Sequence, residues 1–439
     1  MNKKTVFDIP AQTNHIIETL NKNGFDAYIV GGCIRDIILG QTPQDWDITT
    51  DAKPDDVKRL FPNVFETGIK HGTVTAVIDG TNYEITTFRA SNSITPSTLT
   101  EDLGLRDFTM NAIAYHPNVG IIDPFSGLSD IEESIIRAVG NPDNRFEEDP
   151  LRMLRAVRFS STLEFKIDVP VLSSIKENSG KIERVSPERI RSELSKILTS
   201  DRPEGFVILR ETGLLKHILP EFDICFDITQ NHPYHIYNVA IHSLHTVASI
   251  EKNTVLRWTM LLHDTGKAVT KTTDNKGIDH FYGHPQKSME IAKRVLGRLK
   301  FDNASVERIL SLIKHHDMQI NPDYKSVRKA ASKMGEDIFL DLLKVQEADK
   351  SGQNPKYSDE RSDTLNKIRE IYYDIKKNNH CLTIKDLAIN GDDLLAMGFE
   401  QGHDVGVVLK MLLNAVLENP ELNTREKLLE MVDDVGNSF

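Results

Sequence analysis

Cysteine and long apolar runs are scarce in this chain. Its 439 residues contain three cysteines, Cys33, Cys225 and Cys381, an odd number spread far apart. This argues against a disulfide framework and predicts a reducing, cytoplasmic location. No apolar segment follows the MNKK start, and no apolar run reaches the length of a membrane span. We therefore expect neither a secretory leader nor an association with membranes.

Basic residues are outnumbered by acidic ones, and the formal net charge is −12. Taken alone, this argues against a partner that is a polyanion. Residues 151–200, however, contain ten Lys or Arg against six Asp or Glu. Because a polyanion responds to local charge, this block is the candidate for contact with nucleic acid, and a solvated basic helix surface is the alternative.

The periodicity of apolar residues changes along the chain. The stretch FDAYIV predicts a strand that ends at Gly31-Gly32, and TVTAVID and YEITTFR flank DGTN, which predicts a hairpin. After about residue 145, LRMLRAVRF, ERIRSELSKIL, LRWTMLLHD, MEIAKRVLGRL and VERILSLIKHH have helical spacing. We expect an α+β fold with a small antiparallel or mixed sheet in front of helical segments. The length indicates about three domains.

The stretch VGGCIRDIILGQTPQDWD contains two carboxylates, Asp45 and Asp47, one residue apart. In a strand both would project from the same face. Clustered carboxylates repel each other unless a cation such as Mg²⁺ is present, and Gly31-Gly32 before a helix offers backbone N–H groups to phosphate. The pattern favours a nucleotidyl-transfer site, with Glu84 as a third carboxylate. A solvated loop is the alternative.

The stretch EEDPLRMLRAVRF places Asp149 and Arg152 three residues apart, as neighbours on a predicted helix. An acceptor beside a fork of donors matches the amine and ring nitrogen of cytosine or adenine, but not uracil or guanine. The pair is therefore predicted to read the base without a template, unless it is an ordinary surface ion pair. Arg158 belongs to another face of the helix.

The ordered motifs GGCIRD, DWD, LRDFTMNAIAY, DPFSGLSDI, EEDPLR and SPERIRSEL resemble the class II tRNA nucleotidyltransferases, which build the 3′-terminal CCA of tRNA. The resemblance implies an enzyme that uses CTP and ATP on the tRNA 3′ end, with Asp45 and Asp47 holding Mg²⁺. It implies nucleotide-binding roles for Gly31, Gly32, Arg35, Asp36, Arg106, Asp107, Asn111, Asp149, Arg152, Arg155 and Arg158, and it places Arg189 and Glu193 on a neck helix.

A second pattern lies further along the chain. His242, the pair His263-Asp264, and Asp349 follow the order of the HD phosphohydrolase superfamily, which this part of the chain resembles. His and Asp side chains suit a divalent cation that makes hydroxide from bound water, here Mg²⁺, Mn²⁺, Co²⁺ or Ni²⁺. A second metal position is predicted at His284, His316 and Asp317. The alternative is a scaffold that only holds tRNA.

These patterns predict a catalytic head at 1–140 and a helical neck with the base-selecting motif and a tRNA-binding segment at 141–230. An HD-type helical domain follows at 231–360, and a helical tail at 361–439. One segment departs from the family: residues 90–100 are short, with no basic or aromatic residue. Relatives that add only CC share a short loop here, so CC addition alone is an alternative to full CCA addition unless another element, such as Lys70-His71, replaces the loop. A poly(A) polymerase, or a metal phosphohydrolase with an RNA-recruiting head, are further alternatives. The sequence sets no oligomeric state.

Overall fold

A computed structural model describes residues 7–68, 72–89, 97–354, 356, 359–400 and 402–436. The chain forms two compact units, Met1–Ile218 and Leu219–Phe439. Among the helices in these described ranges, none combines the length and apolar character needed to cross a bilayer.

A seven-stranded sheet organises the first unit. Its order is β3-β4-β5-β2-β1-β6-β7, and β2 runs parallel to β5 while all other neighbours are antiparallel. The mixed sheet confirms the predicted fold class. The strands are β1 (Ala27–Val30), β2 (Asp47–Thr50), β3 (Val64–Gly68), β4 (Thr73–Ile78), β5 (Thr81–Thr87), β6 (Ala114–His116) and β7 (Gly120–Ile122).

The predicted hairpin connects β4 and β5. Its turn residues Asp79 and Gly80 both have positive φ, at 50° and 78°. Such a turn matches the twist of the flanking strands and is the reason that Asp-Gly favours hairpins. Inward-facing Ile29, Ile48 and Ile85 on three adjacent strands are each at most 1% exposed, so the core begins on this sheet.

Helices surround the sheet and continue beyond it. Pro10, before α1, and Pro187, at the start of α9, occupy positions where a missing N–H costs nothing. The first unit contains α1 (Ala11–Lys22), α2 (Gly32–Ile38), α3 (Pro54–Leu60), α4 (Leu99–Gly104), α5 (Gly127–Glu132), α6 (Pro142–Glu148), α7 (Leu151–Leu163), α8 (Val169–Asn178), α9 (Pro187–Leu198), α10 (Gly205–Glu211) and α11 (Leu215–Ile218).

The second unit is mainly helical, and the helical spacing in the sequence is confirmed by α14, α16, α17 and α22. Its helices are α12 (Pro220–Asp223), α13 (Val239–Ser249), α14 (Thr254–Leu262), α15 (Lys267–Thr270), α16 (His284–Arg298), α17 (Asn303–His315), α18 (Tyr324–Met334), α19 (Glu336–Ser351), α20 (Asp359–Lys377), α21 (Gly391–Ala396), α22 (His403–Glu418) and α23 (Arg425–Gly436).

The segments after the head are helical as expected, apart from the strands of two short two-stranded sheets. β8 (Ile135–Ile136) pairs with β9 (Lys166–Ile167), and β10 (Thr272–Thr273) pairs with β11 (Asp279–His280). The second ribbon closes through a local turn. Asp274 accepts hydrogen bonds from the backbone N–H groups of Lys276 and Ile278, and this side-chain turn competes with helix.

Candidate active site and metal-ligand clusters

The three predicted carboxylates of the first unit, Asp45, Asp47 and Glu84, line one cavity of about 680 Å³, together with Asp36. The parallel register of β2 and β5 places Asp47 opposite Glu84. β2 begins at Asp47, so Asp45 precedes the strand rather than lying in it as expected. The two aspartates still meet in the cavity, which is what the predicted site requires.

The carboxylates of this cavity repel one another. Burial raises the pKa of Asp47; Arg106 counteracts the rise, and the charge of Asp45 adds to it. Burial, followed by the charges of Asp47 and Asp45, also raises the pKa of Glu84. A set of oxygen ligands that resists ionisation without a cation fits a hard divalent metal such as Mg²⁺.

Gly31 provides the close approach that the predicted glycine pair implies. It has φ +84°, and a Cβ there would lie 2.7 Å from Nη1 of Arg106 and 3.5 Å from Oδ2 of Asp47. A side chain at this position would collide with the guanidinium of Arg106, which lies next to the carboxylate of Asp47. Gly32 follows as the first residue of α2 and lines the cavity.

A chain of polar contacts links the predicted nucleotide-binding residues. Arg35 donates to Asp36 (2.6 Å) and to Oδ1 of Asn111 (2.7 Å). Asn111 donates to Asp107 (3.0 Å), whose other oxygen pairs with Arg155 at 2.7 Å. The structure therefore brings these five residues together, although only Arg35 and Asp36 among them line the carboxylate cavity.

Arginines of α7 meet around one aromatic ring. The ring centroid of Phe159 lies 3.5 Å from the guanidinium carbon of Arg158, 5.0 Å from that of Arg35 and 5.3 Å from that of Arg155. Arg158 also pairs with Glu193 at 2.9 Å and lines the cavity, which agrees with its predicted separate face. The ring orients positive charge beside the carboxylates.

The predicted pairing of Asp149 with Arg152 on one helix is wrong for this structure. Asp149 has extended backbone (φ −148°, ψ 99°) between α6 and α7, because Pro150 follows it. Its carboxylate accepts from Arg189 at 2.7 Å, whereas Arg152 donates to Glu148 at 2.9 Å and to the carbonyl oxygen of Leu105 at 2.8 Å. Each side chain is held by partners other than the expected one.

Two structural anchors of the site were missed by sequence reasoning. Asp102 is fully buried and pairs with Arg89 at 2.8 Å and with Arg106 at 3.5 Å. Its position after Thr98 and Glu101, which form a helix capping box, makes it look like an ordinary first-turn acid. Arg145 donates to the carbonyl oxygen of Gly104 at 2.8 Å. Of the short loop, residues 90–96 lie outside the described residues, as do Lys70 and His71.

The predicted histidine and aspartate residues of the second unit form a cluster. His242 lies in α13, His263 and Asp264 follow the end of α14, and Asp349 lies in α19. One ligand atom from each lies within 4.8 Å of all the others. Nε2 of His242 is 2.9 Å from Oδ1 of Asp349, and Nε2 of His263 is 3.3 Å from Oδ2 of Asp264.

A second group of ligands adjoins the first through Asp264. Its other oxygen, Oδ1, lies 3.3 Å from Nε2 of His284 and 3.7 Å from Nε2 of His316. The predicted third member, Asp317, lines the same cavity, but Asp264 completes the compact group in its place. A carboxylate with one oxygen in each group can bridge two cations.

All four histidines present the same ring nitrogen to the cluster. Each Nδ1 lies against a backbone carbonyl oxygen, which requires Nδ1 to carry the proton and leaves Nε2 as the ligand atom. The pairs are His242 with Gly352 (3.0 Å), His263 with Met260 (2.7 Å), His284 with Phe281 (2.9 Å) and His316 with Ile313 (2.7 Å).

Electrostatics of the cluster also suit a cation. Burial lowers the pKa of His263, but Asp264 and Asp349 outweigh burial and raise it to about 10. Oδ2 of Asp264 is buried without a hydrogen bond of proper geometry, although Nζ of Lys267 lies 2.6 Å away. The donor set and this incompletely bonded oxygen fit a divalent metal held by nitrogen and oxygen.

Comparison with known families matches the head to a nucleotidyltransferase class. Residues 27–137 match the Poly A polymerase head domain, and residues 280–432 match tRNA nucleotidyltransferase domain 2. The first class carries the sheet and the three carboxylates, and it implies a divalent metal. The fold and site therefore define a nucleotidyltransferase-type protein.

Whole-chain relatives narrow this class. The CCA-adding enzyme of Lactiplantibacillus plantarum is 32% identical over 436 residues, which is 96% of both chains. The crystal structure of the Bacillus stearothermophilus CCA-adding enzyme in complex with CTP is 29% identical, with a TM-score of 0.74 over 99% of this chain and 100% of that one. This chain belongs to the family of CCA-adding enzymes. Some relatives align less completely: the Limosilactobacillus reuteri CCA-adding enzyme is 44% identical over 213 residues, so the match spans about half of its length.

Proposed function

We propose that this protein adds C, C and A to the 3′ end of tRNA from CTP and ATP, releasing pyrophosphate, in the cytoplasm. The observation that carries the proposal is the cavity in which Asp45, Asp47 and Glu84 meet beside Arg35 and Arg158. Family membership and the basic segment at 151–200 support tRNA as the partner.

The head residues have distinct roles in this proposal. Asp45 and Asp47, with Glu84 opposite, hold Mg²⁺, which when bound neutralises triphosphate charge and favours ionisation of the attacking hydroxyl. Arg35 and Arg158 stabilise the negative charge of the phosphates during attack by the 3′ oxygen. Because Gly31 carries no Cβ, the guanidinium of Arg106 can lie against the backbone beside Asp47.

Base selection is assigned to Asp149 and Arg152. A carboxylate accepts from the exocyclic amine of cytosine or adenine, and a guanidinium donates to the ring nitrogen. In the structure the carboxylate of Asp149 accepts from Arg189, and Arg152 donates to Glu148. These partners orient the two groups, and we expect base selectivity to be sensitive to both.

The decisive experiment measures products. Purified protein is incubated with tRNA ending before CCA and with tRNA ending in CC, together with CTP, ATP or both, and the products are sized at single-nucleotide resolution. We expect three additions to the first tRNA and one A on the second. Addition that stops at CC identifies the restricted enzyme that the short loop suggests, and long A tracts without C identify a poly(A) polymerase.

A second activity is favoured by the bridged ligand groups around Asp264. We propose that the second unit hydrolyses a phosphomonoester or a 2′,3′-cyclic phosphate with a divalent metal, Mg²⁺, Mn²⁺, Co²⁺ or Ni²⁺, held by His242, His263, Asp264 and Asp349. The metal, when bound, supplies a hydroxide nucleophile and neutralises phosphate charge. Absence of hydrolysis of both substrates with all four metals would leave the cluster a tRNA-holding scaffold.

A further inference from the structure

The cavity above the second unit's ligand groups has an aromatic mouth. It measures about 350 Å³ and is lined by ligand residues, including Asp264, and by His232, Tyr234, His280 and Tyr282. This size falls at the lower end of pockets that bind small molecules. The cavity therefore suits a ligand of a few linked groups rather than a folded macromolecule.

Tyr282 is the most exposed of these four aromatic residues. It is 78% exposed, yet its ring stacks on His280 with the planes 8° apart and the centroids 5.4 Å apart. One face of the tyrosine ring is therefore covered by an imidazole, while most of its surface faces solvent. At the entrance of a polar cavity, this exposed ring offers a flat face on which a ligand can stack.

The ring pair is held on a rigid support. Nε2 of His280 lies 3.2 Å from Oδ2 of Asp274. Asp279, only 4% exposed, accepts from the backbone N–H of Asn231 at 2.8 Å and pairs with Lys271 at 2.9 Å. These bonds tie the β10–β11 ribbon to the segment before α13, so a ligand would need to order little at this mouth.

The tied segment supplies a second ring pair. The rings of His232 and Tyr234 lie 5.1 Å apart at 33°. Two ring pairs at the mouth and cation ligands at the floor are complementary to a molecule with a flat base at one end and a phosphate at the other. Stacking between bases and aromatic side chains tolerates every base, whereas a sugar phosphate has no aromatic ring to stack.

We propose that Tyr282, supported by His280, is a specificity-determining residue that stacks on the base of a nucleotide whose phosphate lies at the His/Asp cluster. The ligand class is a nucleoside with a phosphate on its ribose, either free or at the end of an RNA. The phosphate end of this proposal rests on the proposed phosphohydrolase function; the stacking end rests on the mouth of the cavity.

Equilibrium binding tests the proposal without requiring turnover. The full chain carrying Asp45→Asn and Asp47→Asn, which silences the head, is titrated in Mn²⁺ with adenosine 2′-monophosphate and with ribose 5-phosphate by calorimetry. We expect the nucleotide to bind about 10-fold tighter or more. Tyr282→Ala should remove this ratio while leaving ribose 5-phosphate binding unchanged, and Tyr282→Phe should retain it.

Two controls assign the signal. Tyr373→Ala, which removes another exposed tyrosine (56% exposed), should leave the ratio unchanged. Asp264→Ala should abolish binding of both ligands, because it removes a residue shared by both ligand groups. A trinucleotide RNA with a 3′-terminal phosphate distinguishes the sources: binding as tight as the mononucleotide supports an RNA end, and no binding supports a free nucleotide.

The outcomes separate this proposal from the proposed hydrolysis. Equal affinity for the two ligands, a ratio that survives Tyr282→Ala, or no binding of either ligand overturns the stacking role. If the ratio depends on Tyr282 but no phosphate is released, the hydrolytic function fails and the stacking role stands. If phosphate is released equally from both ligands in the wild type and in Tyr282→Ala, the hydrolytic function stands and the stacking role fails.

Discussion

At the scale of single residues, Asp47 combines a cost in stability with a functional role. Burial, only partly offset by Arg106, raises its folded pKa above the unfolded value, so its ionisation at neutral pH opposes folding. An uncharged amide of similar shape removes this cost and also removes a carboxylate of the proposed metal site. Function and stability therefore respond in opposite directions at this position.

The first prediction concerns Asp47→Asn. We expect nucleotide addition to fall by about 1000-fold, because one metal ligand is lost. Thermal unfolding in metal-free buffer should occur at an equal or higher temperature, by about 2 °C, because repulsion from Asp45 is relieved. The matched control is Asp55→Asn, an exposed residue in an ion pair with Lys58. Normal incorporation of CTP by Asp47→Asn would contradict the metal assignment.

The second prediction concerns Asp107 and acid. Burial acts to raise its pKa, but Arg155, Asn111 and the backbone of Phe108 together lower it to about 2. A carboxyl whose folded pKa is depressed stabilises the protein above its unfolded pKa of about 3.9 and loses this contribution as pH falls towards 2.

The free energy of unfolding in urea, measured as a function of pH, gives this contribution. Between pH about 4 and 2 the wild type should lose on the order of 2 kcal/mol from this group. Asp107→Asn should be less stable at pH 7 and should show a shallower decline with acid, whereas Asp55→Asn should follow the wild type. Parallel declines in wild type and Asp107→Asn would show that Asp107 does not carry the effect.

At the scale of elements, α7 organises the positive side of the site. Phe159, 2% exposed, lies among Arg35, Arg155 and Arg158, so one ring positions guanidinium groups from two helices. Cation–π contacts are worth about 0.5–2 kcal/mol each, depending on desolvation. The ring therefore matters for the placement of charge as well as for packing.

The third prediction is that Phe159→Leu raises the KM for CTP by about 10-fold with a smaller change in kcat. Leucine keeps an apolar side chain in the core but removes the ring face on which the arginines lie. Phe146→Leu, at another fully buried phenylalanine in α6, is the control for loss of packing. Equal effects of the two substitutions on stability and on KM would reduce Phe159 to a packing residue.

The elements show which parts of the fold are readable from sequence. The hairpin follows from Asp79-Gly80, and α7 and α9 follow from apolar spacing, because these signals are local. The Asp149–Arg152 pair was misread because helical spacing was extended across Pro150, where the chain is extended. Asp102 was missed because its partner Arg89 is fixed by tertiary packing, which no local pattern reports. That Asp264, rather than Asp317, completes the second ligand group likewise depends on how α14, α16 and α17 pack.

At the scale of the whole molecule, two candidate sites belong to two compact units. The three carboxylates lie within Met1–Ile218, and the His/Asp cluster lies within Leu219–Phe439. Each site is completed by residues of its own unit. Side-chain changes confined to one ligand set should therefore leave the other set intact, as additivity predicts for sites without shared partners.

The fourth prediction is a double dissociation. His263→Ala removes Nε2 from the cluster and should lower the number of tightly bound Mn²⁺ ions and abolish phosphate release, while CTP addition to tRNA stays within about twofold of the wild type. Asp47→Asn should give the opposite pattern.

His245→Ala, which replaces an exposed histidine on the same helix as His242, controls for loss of an imidazole. Metal content by mass spectrometry, phosphate release and tRNA extension are measured on the same preparations. A tenfold loss of CTP addition in a folded His263→Ala protein would mean that the second unit's metal cluster contributes to nucleotide transfer. His263→Ala also leaves the carboxylates of Asp264 and Asp349 without one of their imidazole partners, which destabilises the protein. His263→Gln, which keeps a polar side chain, should therefore reproduce the loss of metal with a smaller change in unfolding temperature.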